Sequence, residues 1–115
     1  MAEHTFVVEA KPRPKGRPRF AKGRAYTPPE TVAFENAVAA AWRASGGPMF
    51  LGPVEVDIKF HADRVEVTVR ELDPEAKSSL RGDVDNYIKS TLDGLNAVAF
   101  PDDKQVLTVR ATKQK

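Results

Sequence analysis

The sequence predicts an α/β (α+β) domain, a small mixed β-sheet covered by two helices. Three observations predict it. Two runs, near residues 54–60 and 65–71, alternate apolar and polar residues as half-buried strands do. Two other runs repeat apolar residues at helical spacing. The elements follow one another in the order β-α-β-β-α-β, which suits a sheet with helices packed on it. At 115 residues the chain has room for one modest core, so residues 1–115 are read as a single domain.

Residues 5–10, TFVVEA, read as the first strand, with β-branched residues and no breaker. The prolines and glycines that follow forbid a regular element, so 11–27 reads as a long exposed loop. Thr27-Pro28-Pro29-Glu30 reads as a helix start, with Thr27 as cap, Pro28 in the first helical position and Glu30 closing a capping box. Phe34, Val38, Ala41 and Trp42 then share one helical face, and Gly46-Gly47-Pro48 ends the helix. Trp42 on that face is read as core. Val54, Val56, Ile58 and Phe60 alternate with Glu55, Asp57 and Lys59 as one strand, and Val65, Val67 and Val69 mark another. Residues 72–82 read as a polar connector. A second helix begins near Asp83–Asp85, with Val84, Ile88, Leu92 and Leu95 as its apolar stripe, and Pro101 stops what precedes it. Residues 105–112, QVLTVRAT, read as a last strand.

Composition excludes several function classes. There is no cysteine, so disulfides and thiolate chemistry are out, and only His4 and His61 remain as nitrogen ligands for zinc. The two histidines show no partner spacing and are given no role. No apolar run reaches the length of a membrane span, and the first residues lack the form of a signal peptide, so the expectation is a cytoplasmic protein.

The net charge of +2 says little, but its distribution says more. Residues 11–24 hold Lys11, Arg13, Lys15, Arg17, Arg19, Lys22 and Arg24 and no acid, with Phe20 among them and Tyr26 close behind. The structural reading is a solvated charge run. The functional reading is an arm that tracks the phosphates of a nucleic acid, with an aromatic available to stack on an unpaired base.

Residues 83–103 hold Asp83, Asp85, Asp93, Asp102 and Asp103 against Lys89 alone. Here too a structural reading stands beside the functional one. Asp83 and Asp85 can cap a helix, Asp85 and Lys89 can form an i, i+4 pair, and Pro-Asp-Asp is good turn chemistry. The functional reading brings the second acidic pair back to the first. Carboxylates a few ångströms apart repel, and Mg²⁺ or Mn²⁺ relieves that repulsion through oxygen ligands. Such an ion orients water and offsets charge on a phosphate under attack. Lys89, one turn after Asp85, then has two roles open to it, on the water or on the transition-state anion.

The run Gly82-Asp83-Val84-Asp85-Asn86, Lys89, Asp93 and Leu95, followed by Asp102-Asp103 and Gln105-Val106, resembles the signature of the RusA family of crossover junction endodeoxyribonucleases. The loop Pro14-Lys15-Gly16-Arg17-Pro18-Arg19 is similar to the family's opening loop in the form seen in phage and prophage members. The resemblance implies that Asp83, Asp85 and Asp103 are metal-binding carboxylates, that Lys89 is the essential lysine, and that Asn86, Asp93 and Asp102 are supporting positions. It also implies a homodimer that uses Mg²⁺ or Mn²⁺ to nick four-way junctions symmetrically on opposing strands.

Two other functions are open to these residues. One is a nucleic-acid-binding module without catalysis, which would need the basic arm but not the Asp-x-Asp-Asn-x-x-Lys constellation. The other is a different divalent-metal nuclease, flap or restriction-like, with Asp57–Lys59, Glu75–Lys77 and Asp102–Lys104 as candidates for its acid-x-Lys pair.

Overall fold

Strand pairing sets the first part of the molecule. The structure, a computed structural model, describes residues 2–16 and 19–114. Strands β1 (Glu3–Val8), β4 (Val54–Phe60) and β5 (Val65–Glu71) form an antiparallel sheet in the order β1-β5-β4. Phe6 pairs with Val67, Val8 with Val65, Ile58 with Val67 and Phe60 with Val65. Paired residues share a face, so the apolar members of all three strands line one side. The other side is polar. There the Thr5 and Thr68 hydroxyls meet at 2.8 Å, and Arg70 bridges Glu3 at 2.8 Å and Glu55. The two carboxylates, Glu3 foremost, hold the Arg70 guanidinium even more firmly protonated than usual.

Helix α1 (Pro29–Ala44) covers part of the apolar side. Phe34, Val38, Ala41 and Trp42 pack on buried Phe6, Val8, Val65 and Val67, as their spacing predicts. Trp42 meets Phe6 edge-on with ring centroids 5.2 Å apart, and it also meets His4 at 4.9 Å. Those contacts confirm Trp42 as core and give His4 a packing role, with a hydrogen bond to Ser45 at 2.8 Å. The β4 residues Val56, Ile58 and Phe60 stay exposed at the sheet edge.

Three local expectations need correction. Pro28, not Thr27, caps α1, and no side chain closes a capping box. Pro29 forces the residue before it out of helical space, so Pro28 takes φ −54, ψ 141 and the helix starts one residue later. Glu30 pairs instead with Arg19 at 2.5 Å. The expected loop 11–27 contains a hairpin, β2 (Arg19–Ala21) and β3 (Arg24–Tyr26). Lys22 and Gly23 both have positive φ, 53 and 77, as a two-residue type I′ turn demands.

The chain divides into two compact units, Met1–Pro74 and Glu75–Lys115. The second contains helix α2 (Val84–Leu95) and a 3₁₀ turn at Asp103–Gln105. The expected last strand at 105–112 does not form, and the sheet is antiparallel, not mixed. A strand needs a neighbour to accept its ladder, and the second unit offers none. Residues 109–113 run instead along α2 and line a groove with Val84, Ile88 and Leu92.

Candidate active site

Asp83 sits at the start of α2, and the chain before it is clamped. The Gly82 amide donates to the Tyr87 hydroxyl at 3.1 Å, and Lys113 Nζ donates to the Gly82 carbonyl at 3.0 Å. A Cβ on Gly82 would lie 2.9 Å from the Tyr87 ring, so a side chain there would push the ring from its place. The clamp leaves Asp83 as the helix cap, with its carbonyl accepting from Asn86 N at 3.1 Å and Tyr87 N at 3.3 Å.

The Asp83 side chain makes no capping hydrogen bond. Asp85 and Lys89 form no ion pair among the described residues, although their spacing would allow one. Asp83, Asp85, Asn86 and Lys89 are all exposed. Neither structural use suggested by the sequence is therefore realised at this helix start. Two carboxylates and an ammonium stand there beside the positive end of a helix dipole.

Asp103 is held at the other end of the same helix. Asn96 caps the C-terminus of α2, and its side-chain oxygen accepts from Asp103 N at 3.1 Å. The chain reverses through Ala97, whose φ is 68, and Ala97 N bonds the Phe100 carbonyl at 2.7 Å. Asp102 then caps the 3₁₀ turn: its carboxylate accepts from Lys104 N at 2.9 Å, and its amide donates to Gln105 Oε1 at 3.2 Å. The protonated Asp103 carboxyl donates to the Asp102 carboxylate, and this is the main cause that raises it above the usual range. Desolvation and the charges of Asp102 and Asp93 add to it, and Lys104 opposes it.

The expected meeting of Asp83, Asp85 and Asp103 is thus not formed within the chain. Twelve residues of α2 span about 18 Å, which separates the two acidic groups. Among the described residues no three His, Asp or Glu side chains gather as a metal-binding group. What lies beside Asp103 instead is Asp102, with Asp93 near enough for its charge to be felt. The physical reason is local: the Asn96 cap and the Ala97 reversal return the chain to the nearer end of the helix.

The donor chemistry at the helix start still suits a hard ion. Mg²⁺ is commonly held by one or two carboxylates with the remaining positions filled by water and substrate phosphate, and Asp83 and Asp85 supply two. Of the basic run, Lys15 pairs with Glu35 at 2.7 Å and Arg19 with Glu30. Lys11, Arg13, Lys22 and Arg24 make no ion pair with described residues, and Arg17 lies outside the described residues. The sequence reading missed Gly82–Tyr87, Lys113 and Asn96. A glycine directly before the first acid was the one signal that could have pointed to the clamp.

The family model for Endodeoxyribonuclease RusA matches residues 9–115. The chain belongs to the RusA family. A curated relative, "Uncharacterized protein YqaN" of Bacillus subtilis (strain 168), is 30% identical over 120 residues, covering 94% of this chain and 84% of the relative. No solved structure matches. RusA membership spans both units and makes the chain an endodeoxyribonuclease of the Holliday-junction class. No helix among the described residues is long and apolar enough to cross a membrane.

Proposed function

We propose that this RusA-family chain resolves four-way DNA junctions by paired symmetric nicks, as a homodimer that depends on Mg²⁺ or Mn²⁺. The observation that carries the reading is the condition of the α2 start: Asp83, Asp85 and Lys89 are exposed and engaged in none of the capping or ion-pair contacts that would explain them structurally. A binding module without catalysis has no use for that group.

In this reading Asp83 and Asp85 hold the ion, with the Asn86 amide beside them. When bound, such an ion supplies a Lewis acid for the phosphate and lowers the pKa of attacking water. The helix N-terminus adds backbone amides that favour the same anion. Lys89, one turn along, stabilises charge that develops on the phosphate. Cations of the 11–24 run bind DNA through its phosphates. Asp103 reaches the site from the partner protomer, because α2 keeps it a helix length away within one chain. Asp93 and Asp102 support Asp103. The cytoplasm is the compartment this reading assigns to that work.

The test is a nicking assay on a four-way junction, a flap and a linear duplex, each with and without Mg²⁺. Paired symmetric nicks on the junction, only with the ion, are expected. Cutting of flap or duplex alone would instead support another divalent-metal nuclease.

A further inference from the structure

We propose that the β2–β3 hairpin is a two-sided pin for the branch point of DNA. On one side Phe20 stacks on a base exposed where strands exchange; on the other, Arg24 holds a phosphate. This deepens the nuclease reading and rests on it.

Register fixes the two sides. Arg19 pairs with Tyr26 and Ala21 with Arg24, so those four residues share one face; Phe20 pairs with Ala25 on the opposite face. Phe20 is 77% exposed and belongs to no core cluster. Two strands of three residues cannot hold themselves together in water on pairing alone, so something else must fix the hairpin.

Three features do so. The Lys22-Gly23 turn has the backbone of a type I′ hairpin. Arg19 is tied to Glu30 in the first turn of α1. Just before the hairpin, Gly16 N donates to the hydroxyl of buried Thr31 at 3.2 Å, and a Cβ there would lie 2.9 Å from both Thr31 and Pro28. Arg19 is therefore an anchor, which leaves Lys22 and Arg24 as the hairpin's cations for phosphate. An aromatic held on an anchored element, within a segment of seven cations and no acid, matches a partner that is anionic along its backbone and flat and apolar at its bases. Paired duplex buries those base faces; a branch point exposes some of them.

The test uses the full chain without divalent ions, so that no DNA is cut. Binding is measured to a four-way junction carrying 2-aminopurine at the branch point, and to a duplex of equal length. Phe20→Ala is expected to weaken junction binding by about 5- to 100-fold and to abolish the 2-aminopurine response. Duplex affinity should stay within about twofold, the residue being too exposed to affect folding. Phe20→Trp should restore both junction signals, whereas Arg24→Ala should weaken junction and duplex alike. A Phe20→Ala protein that keeps the junction-over-duplex ratio and the fluorescence response overturns the pin. If the wild type cuts branched DNA while Phe20→Ala behaves as wild type, the pin falls and the nuclease reading stands. If Phe20→Ala loses junction preference while the wild type cuts nothing, the pin stands and the nuclease reading falls.

Discussion

The Tyr87 hydroxyl accepts a hydrogen bond from the Gly82 amide at 3.1 Å, which ties the first turn of α2 to the residue that precedes its capping acid. This bond aims Asp83, and it is exposed, so it matters more for position than for stability. Tyr87→Phe should lower the thermal midpoint by only a few degrees, as one exposed hydrogen bond contributes about 1 kcal/mol or less. Nicking should fall by about tenfold or more, because small displacements of a reacting group are costly. Gly82→Ala, which drives a methyl into the Tyr87 ring, should do at least as much harm. Full nicking activity in both variants would show that the clamp does not position the site.

The Asn96–Asp103 bond fixes the other acidic group about 18 Å away along α2. If Asp103 serves its partner's site, mixing two dead variants should revive activity. Asp83→Asn and Asp103→Asn chains, co-refolded, would form mixed dimers with one intact site and one doubly defective site. Single-strand nicking is expected to return to a substantial fraction of wild type in those dimers. Continued inactivity of purified mixed dimers would mean that Asp103 acts within its own chain, after the 97–103 reversal rearranges.

The raised Asp103 carboxyl gives the metal-free protein a pH signature. Its folded form holds the proton above the usual 3.8, chiefly through the Asp102 hydrogen bond. The folded state therefore binds more protons than the unfolded state in that window. The stabilisation is present at low pH and is lost as pH rises through the raised value. In a series of thermal midpoints without divalent ions, Asp103→Asn should remove this declining component. A wild-type curve with the same slope as the variant's would contradict a raised Asp103 carboxyl.

Salt dependence reports how many cations reach phosphate. Lys15 and Arg19 are engaged with Glu35 and Glu30, leaving Lys11, Arg13, Lys22 and Arg24 among the described residues of the run. The slope of log K against log salt for duplex should be roughly −4, and each removal among those four should lessen it by about 0.9. A slope near zero would return the run to a solvated surface.

Much of the fold was legible because periodicity reports burial. The α1 stripe and the β5 alternation read correctly, since each faces the core; β4 is a strand as its alternation predicts, but its apolar side lies exposed at the sheet edge instead of half-buried. The 105–112 run also carries β-branched residues, but a strand exists only with a partner, and pairing is not written in the segment itself. The β2–β3 hairpin was hidden by prolines and by a lysine in the first turn position, where asparagine or aspartate is the stronger signal. At the candidate site, residue types and order were readable, whereas the return path of the chain was not. Whether Asp103 comes back to the near or far end of α2 depends on the Asn96 cap and the conformation of Ala97, neither of which has a spacing signature.

The most direct test is the Mg²⁺-dependent nicking rate of Asp83→Asn and Asp85→Asn on a four-way junction, read beside their thermal midpoints. Because neither carboxylate caps α2 or pairs with Lys89, both variants should keep their midpoint within about 2 °C and still bind the junction, yet cut at least about 100-fold more slowly. Undiminished cutting in either variant, or unfolding in place of lost cutting, would contradict the assignment of these acids to the chemistry.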